Sequence, residues 1–220
     1  HTLGEVPAGA RQFARLLEPA QKILLTLGPE EYRFVLSMDV TCKTAQAALD
    51  SVVNSELLYT PGDSTLYSDF GYVLLGKIVE KVTGLPLDRY VTQTFFQPLG
   101  MTRTMFNPPE SLWTSVAPTE LDTAWRKIML RGIVHDETAA LLGGVAGHAG
   151  LFATASDLAI FMQMLLNDGF YGGRTYLKAG TVDVFTSRYD TTSTRTLGWD
   201  TPAATGYTSA GKLFGKAAFG

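Results

Sequence analysis

The chain has 220 residues, 45% of them apolar and 18% charged, with a formal net charge of −3. This is an ordinary globular composition, with enough apolar chain for one large domain or two small ones. The mild negative charge gives no electrostatic reason for a nucleic acid partner, and no apolar run approaches the roughly 20 residues that span a bilayer. Cys42 is the single cysteine, so no internal disulfide forms, and no CxxC or Cys/His cluster points to a metal. No cofactor is expected. The first residue is His1 rather than methionine, and the chain reads as cut from something longer.

His1 to Gly9 reads as a loop. Ala10 to Leu27 spaces Phe13, Leu16, Leu17, Ile23, Leu24 and Leu27 as a helix does, with an interruption at Pro19 and an end at Gly28-Pro29. Glu30 to Asp50 has no clear period, although Ala45 to Val53 reads as a helix. Pro61-Gly62-Asp63 is turn chemistry, and Ser68 or Asp69 can cap a helix that follows. Phe70, Val73, Leu74, Ile78 and Val82 fall on one face of that helix. Lys77 and Lys81 lie toward its C-terminus, and Gly84 is placed to end it in a left-handed conformation. Leu85-Pro86 opens another helix, with proline at its first position and Leu87, Tyr90, Val91 and Phe95 behind it; Pro98-Leu99-Gly100 closes it.

Met101 to Glu120 is proline-rich and irregular, and Asp122 to Leu142 reads as short helical pieces with a loop near Gly132. Gly143 to Gly150 (GGVAGHAG) holds four glycines in eight residues. Such a stretch is backbone under unusual constraint. Thr154-Ala-Ser-Asp157 resembles a capping box, with aspartate in place of glutamate. It opens a helix with Leu158, Phe161, Met162, Leu165 and Leu166 on one face, ended by Asn167-Asp168-Gly169. Gly180 to Arg188 reads as a short helix, and Thr196 to Asp200 (TLGWD) and Lys216 to Gly220 as strands. There are no repeats and no low-complexity segments.

Four stretches could carry chemistry. The glycine-rich loop lacks GK[ST] and does not match GxGxxG, so a tight loop packed closely on other elements is favoured over a phosphate cradle. His135-Asp136-Glu137 with His148 has no recognised ligand spacing, and His148 between glycines is read as bonding backbone carbonyls and holding the loop. There is no GxSxG, and the one SxxK, Ser209 to Lys212, sits in a glycine-flanked loop rather than at a helix start. Tyr67 carries two readings: a packed, hydrogen-bonded tyrosine at a helix start, or a general base or acid tuned by the helix N-terminus and a nearby lysine.

Leu58 to Gly62 (LYTPG) followed by Tyr67 to Gly76 (YSDFGYVLLG) resembles the second motif region of the serine β-lactamase and penicillin-binding-protein-like family, in its class C and family VIII esterase branch. Val82-Thr83-Gly84, Pro98 to Met101 (PLGM), Val134 to Glu137 (VHDE), Gly143 to Phe152 (GGVAGHAGLF) and Ala155 to Leu158 (ASDL) continue the resemblance. It covers most of residues 55 to 200.

The resemblance implies an α/β (α+β) fold of the β-lactamase/transpeptidase-like type, a helical lobe plus part of an antiparallel sheet flanked by helices. It implies acyl transfer by an SxxK serine, assisted by the tyrosine of a Y-x-N motif, with a K-T-G or H-T-G strand beside the substrate. By that resemblance Tyr67 is the catalytic tyrosine and Asp69 stands at the asparagine position. An ionised aspartate only accepts hydrogen bonds, and it would raise a neighbouring phenol's pKa, so ester or other acyl substrates are favoured over β-lactam and peptide amides. The upstream SxxK is not supplied by residues 1 to 66, where His1 to Gly4 (HTLG) resembles the family's intervening H-T-S-G loop; Phe219-Gly220 resembles the residues just before H-T-G. The expectation is one β-lactamase-related serine hydrolase domain over residues 1–220, incomplete at both ends and inactive alone. The expected partner is a small-molecule acyl substrate, with fusion to further domains possible by family. The resemblance favours a periplasmic or extracellular setting without excluding a cytoplasmic one. A non-catalytic binding or regulatory module is the alternative from another class.

Overall fold

Helices form where caps and apolar spacing agree. In the computed structural model, which describes residues 44–56, 59–60, 63, 67–178, 180–188, 193–203, 215 and 218–220, the first helix is α1, Ala45–Val53. Thr44, in extended backbone, accepts the Ala47 N–H on its Oγ1 at 3.1 Å and so satisfies one of the open donors of the first turn. The expected helix at Ala10 to Leu27, the Pro61-Gly62 turn and the Ser209 to Lys212 match lie outside the described residues.

The chain divides into two units: one holds the residues through Phe96 and Arg103–Ala153, the other Gln97–Thr102 and everything from Thr154 on. In the first unit, α2 spans Asp69–Thr83 and stops at Gly84, whose φ of 71° is the left-handed cap expected there. Ser68 occupies the N-cap position with extended backbone, and its side chain makes no capping bond. Phe70, Val73 and Leu74 are buried as expected, whereas Val82 is 61% exposed because the contact surface is used up in the first half of the helix. Helix α3, Leu87–Val91, follows with Pro86 as its N-cap rather than its first helical residue. A π-helical turn continues it over Thr92–Phe96. Helix α1 packs on α2, and α2 on α3.

The rest of this unit is mostly irregular, as the prolines demand. Strand β1, Met105–Phe106, pairs antiparallel with β2, Leu151–Phe152. A 3-10 turn covers Glu110–Ser115. Between Asp122 and Leu142 only α4, Glu137–Leu141, is helical. The other helical pieces expected there are replaced by a hairpin-like loop in which Leu121 bridges Met129. Helix α4 packs on α1. Leu130 and Ala139 are fully enclosed, beside Val52, Val73 and Leu87 in the buried apolar set.

In the second unit, Gln97–Leu99 is a single helical turn and α5 runs Ala155–Leu166. Thr154 caps α5 by accepting the Asp157 N–H on Oγ1, the first bond of the expected capping box. Its buried residues are Asp157, Met164 and Leu165; Leu158 and Leu166, expected on the inner face, are 47% and 70% exposed. The expected face is rotated so that Met164, absent from it, is fully buried. Asp168 and Gly169 adopt positive φ and end the helix. Strands β3, Phe170–Tyr171, and β4, Arg174–Thr175, form a tight hairpin, and the Tyr176 hydroxyl donates to the Pro98 carbonyl at 2.7 Å. Helix α6, Thr181–Thr186, matches the short helix expected. TLGWD is not a strand: the Thr196 N–H bonds the Trp199 carbonyl, Gly198 has a φ of 93°, and Asp200 forms an isolated bridge with Arg195. A glycine in that conformation turns the chain where a strand would extend it. Among the described residues no helix is long and apolar enough to cross a membrane.

Candidate active site

Tyr67 is 68% exposed and lies just ahead of Ser68, the extended N-cap of α2. Asp69 is the first residue of α2, where the helix dipole favours its negative charge. Phe70 and Gly71, immediately behind, are buried and anchor the turn that presents both groups. A phenol and a carboxylate on either side of a helix N-cap can accept protons or hydrogen bonds from a ligand approaching that end.

The glycine-rich loop lies against this helix. A Cβ built on Gly147 would fall well under 3.0 Å from the Tyr72 carbonyl oxygen and 3.2 Å from the Gly76 amide nitrogen. A Cβ on Gly76 would in turn meet the Gly147 nitrogen at 3.2 Å. Two glycines thus let helix and loop touch backbone to backbone, which is the close packing the sequence suggested. The loop is pinned at its start, where the Asn107 amide donates to the Gly143 carbonyl at 2.9 Å, and Gly143 and Gly144 hold φ values of 86° and 81°.

His148 holds the loop differently from the sequence expectation. Its Nε2 lies 2.7 Å from Asp136 Oδ1, so its partner is a carboxylate rather than backbone carbonyls. The same Oδ1 accepts the Ala139 N–H at 2.7 Å and caps α4. Burial pushes the Asp136 carboxyl up, but the His148 hydrogen bond, the Ala139 amide, the charge at His148 and the Thr138 amide together hold it below its ordinary value. His135 faces elsewhere, 2.9 Å from Glu120. The two histidines therefore belong to separate carboxylates, and among the described residues no three metal-ligating side chains converge.

One cluster escaped the sequence reading. Asp122 accepts the amides of Ala124, Trp125 and Arg126 and also the Arg126 Nε at 2.7 Å. Arg126 then donates to the carbonyls of Val134 and His135, each at 2.7 Å, tying the hairpin-like loop to the start of the segment that leads into α4. The Arg126 side-chain bond, then the Trp125 and Arg126 amides, outweigh burial and, with the Ala124 amide, hold Asp122 well below the usual carboxylate range. Asp122 followed by three N–H donors is an Asx-type turn signal that sequence alone could have offered.

Both aspartates are depressed in the folded state, so their contribution is present above the ordinary aspartate pKa of ~3.9 and is lost as pH falls through their folded values. The protein is expected to hold a constant urea midpoint from pH 7 to about 5 as far as these groups decide it, then to lose stability below about pH 4. Asp122→Asn should start lower at pH 7 and show a flatter acid limb. An unchanged acid slope in that variant would remove Asp122 from the account.

A model of the family described as beta-lactamase matches residues 23–220. The chain belongs to the beta-lactamase family. It is therefore a member of a serine hydrolase family that includes penicillin-binding-protein-like proteins, with the β-lactamase/transpeptidase-like fold. A protein of Escherichia coli K12 that carries the provisional name D-alanyl-D-alanine carboxypeptidase is 42% identical over 168 residues, 69% of this chain and 38% of its own length. A counterpart of the same provisional name from Salmonella schwarzengrund is 40% identical over 170 residues, 71% of this chain and 39% of its own length. The chain thus spans well under half the length of these curated relatives. Among solved structures, a Pseudomonas syringae beta-lactamase/D-alanine carboxypeptidase superposes with a TM-score of 0.57 at 18% identity, covering 84% of this chain and 47% of that one. A D-amino acid amidase from Ochrobactrum anthropi SV3, solved with L-phenylalanine amide, gives 0.54 at 21% identity over 83% and 53%. At those identities the likeness speaks for the fold alone.

Proposed function

We propose that the chain is the tyrosine-bearing central part of a serine hydrolase that works through an acyl-enzyme, with Tyr67 and Asp69 as its catalytic-centre residues. A serine supplied by the longer protein attacks the acyl carbon, Tyr67 as its phenolate takes the serine proton, and the bond to the leaving group breaks as the Tyr67 phenol returns that proton to it. Water then releases the acyl group and returns the serine. No cofactor takes part. The observation that carries this reading is the placement of Tyr67: exposed, directly ahead of α2, with Asp69 opening the helix behind it.

Substrate class is weighed between two supports. The names of the curated relatives favour a D-alanyl-D-alanine peptide. Asp69 favours an ester or other acyl compound, because an ionised carboxylate cannot donate to an amide carbonyl. Acyl transfer needs nucleophile, base and oxyanion donors held together, so the 220 residues alone are inactive in this reading. The test compares the chain with the longer protein it comes from, on nitrocefin, a p-nitrophenyl ester and a D-alanyl-D-alanine peptide. Turnover and covalent labelling by a penicillin or fluorophosphonate probe are expected only in the longer protein. A longer protein that neither labels nor turns over would be a binding module; turnover by the 220 residues would sink the proposed inactivity.

A further inference from the structure

We infer that His148 is a positioning residue for Tyr67: its hydrogen bond to Asp136 sets where the glycine loop meets α2, and so where the first turn of that helix stands. The inference rests on the catalytic reading of Tyr67 given above.

The side chain of His148 is 2% exposed, and among the described residues its partner is Asp136. Nδ1 is enclosed without any hydrogen bond. Because the Asp136 carboxylate only accepts, Nε2 carries a hydrogen toward it, and Nδ1 is left without a partner in either charge state of the ring. Leaving such a buried polar atom unsatisfied costs on the order of 1–3 kcal/mol. The neighbouring cluster is Val134, Ala139 and Ala146 with Ala140, Leu142 and Ala149 against it. An apolar ring would fill that site at less cost, so filling space does not explain the imidazole. What the imidazole adds is one directed bond to Oδ1, the atom that also caps α4.

That bond fixes residue 148, and residue 147 is the one whose backbone touches α2. Gly147 meets the Tyr72 carbonyl and the Gly76 amide with no side chain between them. A side chain could absorb a shift by changing rotamer; two backbones in contact cannot. A displacement of the loop therefore passes to α2 undamped. At 1.5 Å per residue, Tyr72 lies about 4.5 Å along the axis from Asp69, the first residue of α2, and Tyr67 is joined to that turn through the extended N-cap Ser68. The path runs from Asp136 through His148 and Gly147 to α2 and Tyr67.

Two variants separate positioning from plain stabilisation. His148→Phe fills the ring's volume without a donor; His148→Gln restores an N–H toward Asp136. In the 220-residue chain, hydrogen exchange of the α2 amides from Val73 to Lys77 is expected to rise about tenfold more than that of α1 in the Phe variant, and to return in the Gln variant. In the longer protein the Phe variant should lose about ten- to a hundredfold in kcat with KM held within about twofold, and the Gln variant should recover to within about threefold. Equal losses for Phe and Gln, or exchange that rises alike in α1 and α2, would overturn the inference. Should His148→Phe fail to fold, Asp136→Asn, which keeps an acceptor for both donors, and Asp136→Ala, which removes it, must show the same contrast at α2. Failure of the Tyr67 reading looks different: Tyr67→Phe would leave activity intact while α2 exchange still followed residue 148.

Discussion

Replacing Gly147 with alanine is expected to remove about 3 kcal/mol or more of stability, a large part of what a domain of this size holds. The added Cβ would sit well under 3.0 Å from the Tyr72 carbonyl oxygen, an atom of helix backbone that has no rotamer to change. Gly147 is not among the positive-φ glycines, so crowding alone, and not backbone strain, produces the cost. Gly76→Ala provides the contrast. Its Cβ would lie 3.2 Å from the Gly147 nitrogen and 3.4 Å from Leu87 Cδ2, tight but adjustable, and alanine gains about 1 kcal/mol of helix propensity over glycine. The Gly76 variant should therefore stay within about 1 kcal/mol of the parent. Urea midpoints measured side by side decide the matter; equal shifts for the two variants would mean that loop and helix do not meet as described.

Tyr67→Phe in the longer protein is expected to lower kcat/KM by about 10²- to 10⁴-fold, the range for loss of a positioned proton-transfer group. The side chain is 68% exposed, so stability should move by less than about 1 kcal/mol. A fall in activity without a fall in melting temperature thus separates chemistry from folding. Asp69→Asn adds a second axis, because it replaces an acceptor-only carboxylate with an amide that can donate. Its ratio of peptide to ester turnover should rise. A Tyr67→Phe enzyme that keeps its rate on every substrate class would end the assignment of this tyrosine.

Local signals in the sequence carried much of the helical architecture. Thr44 and Thr154 cap the helices that follow them, Gly84 stops α2, and Ala45–Val53 has the bounds its composition suggested. Each of those features is settled within one turn of chain. Facing is not: Val82 and Leu166 have the right spacing and the wrong surroundings, because only tertiary neighbours decide which part of an apolar face is covered. TLGWD has strand-like residues but is bent by Gly198. The family resemblance singled out Tyr67 and Asp69, and the structure gives them a shared helix start. The Asp136–His148 pair and the bonds from Arg126 to Val134 and His135 were not legible, since they join residues that chain spacing does not bring to one face.

The contact between Gly76 and Gly147 also has a consequence for synthesis. The unit that contains both glycines is built from two separate stretches of chain, interrupted by Gln97–Thr102. On a ribosome, α2 emerges long before the backbone that will lie beneath it, and closing so long an interval is slow compared with forming the helix. Until then, among the described elements, α1 and α3 are the ones present to pack on α2. The nascent chain is therefore most exposed to aggregation during that wait, and a chaperone that shields apolar helix faces would act on it then.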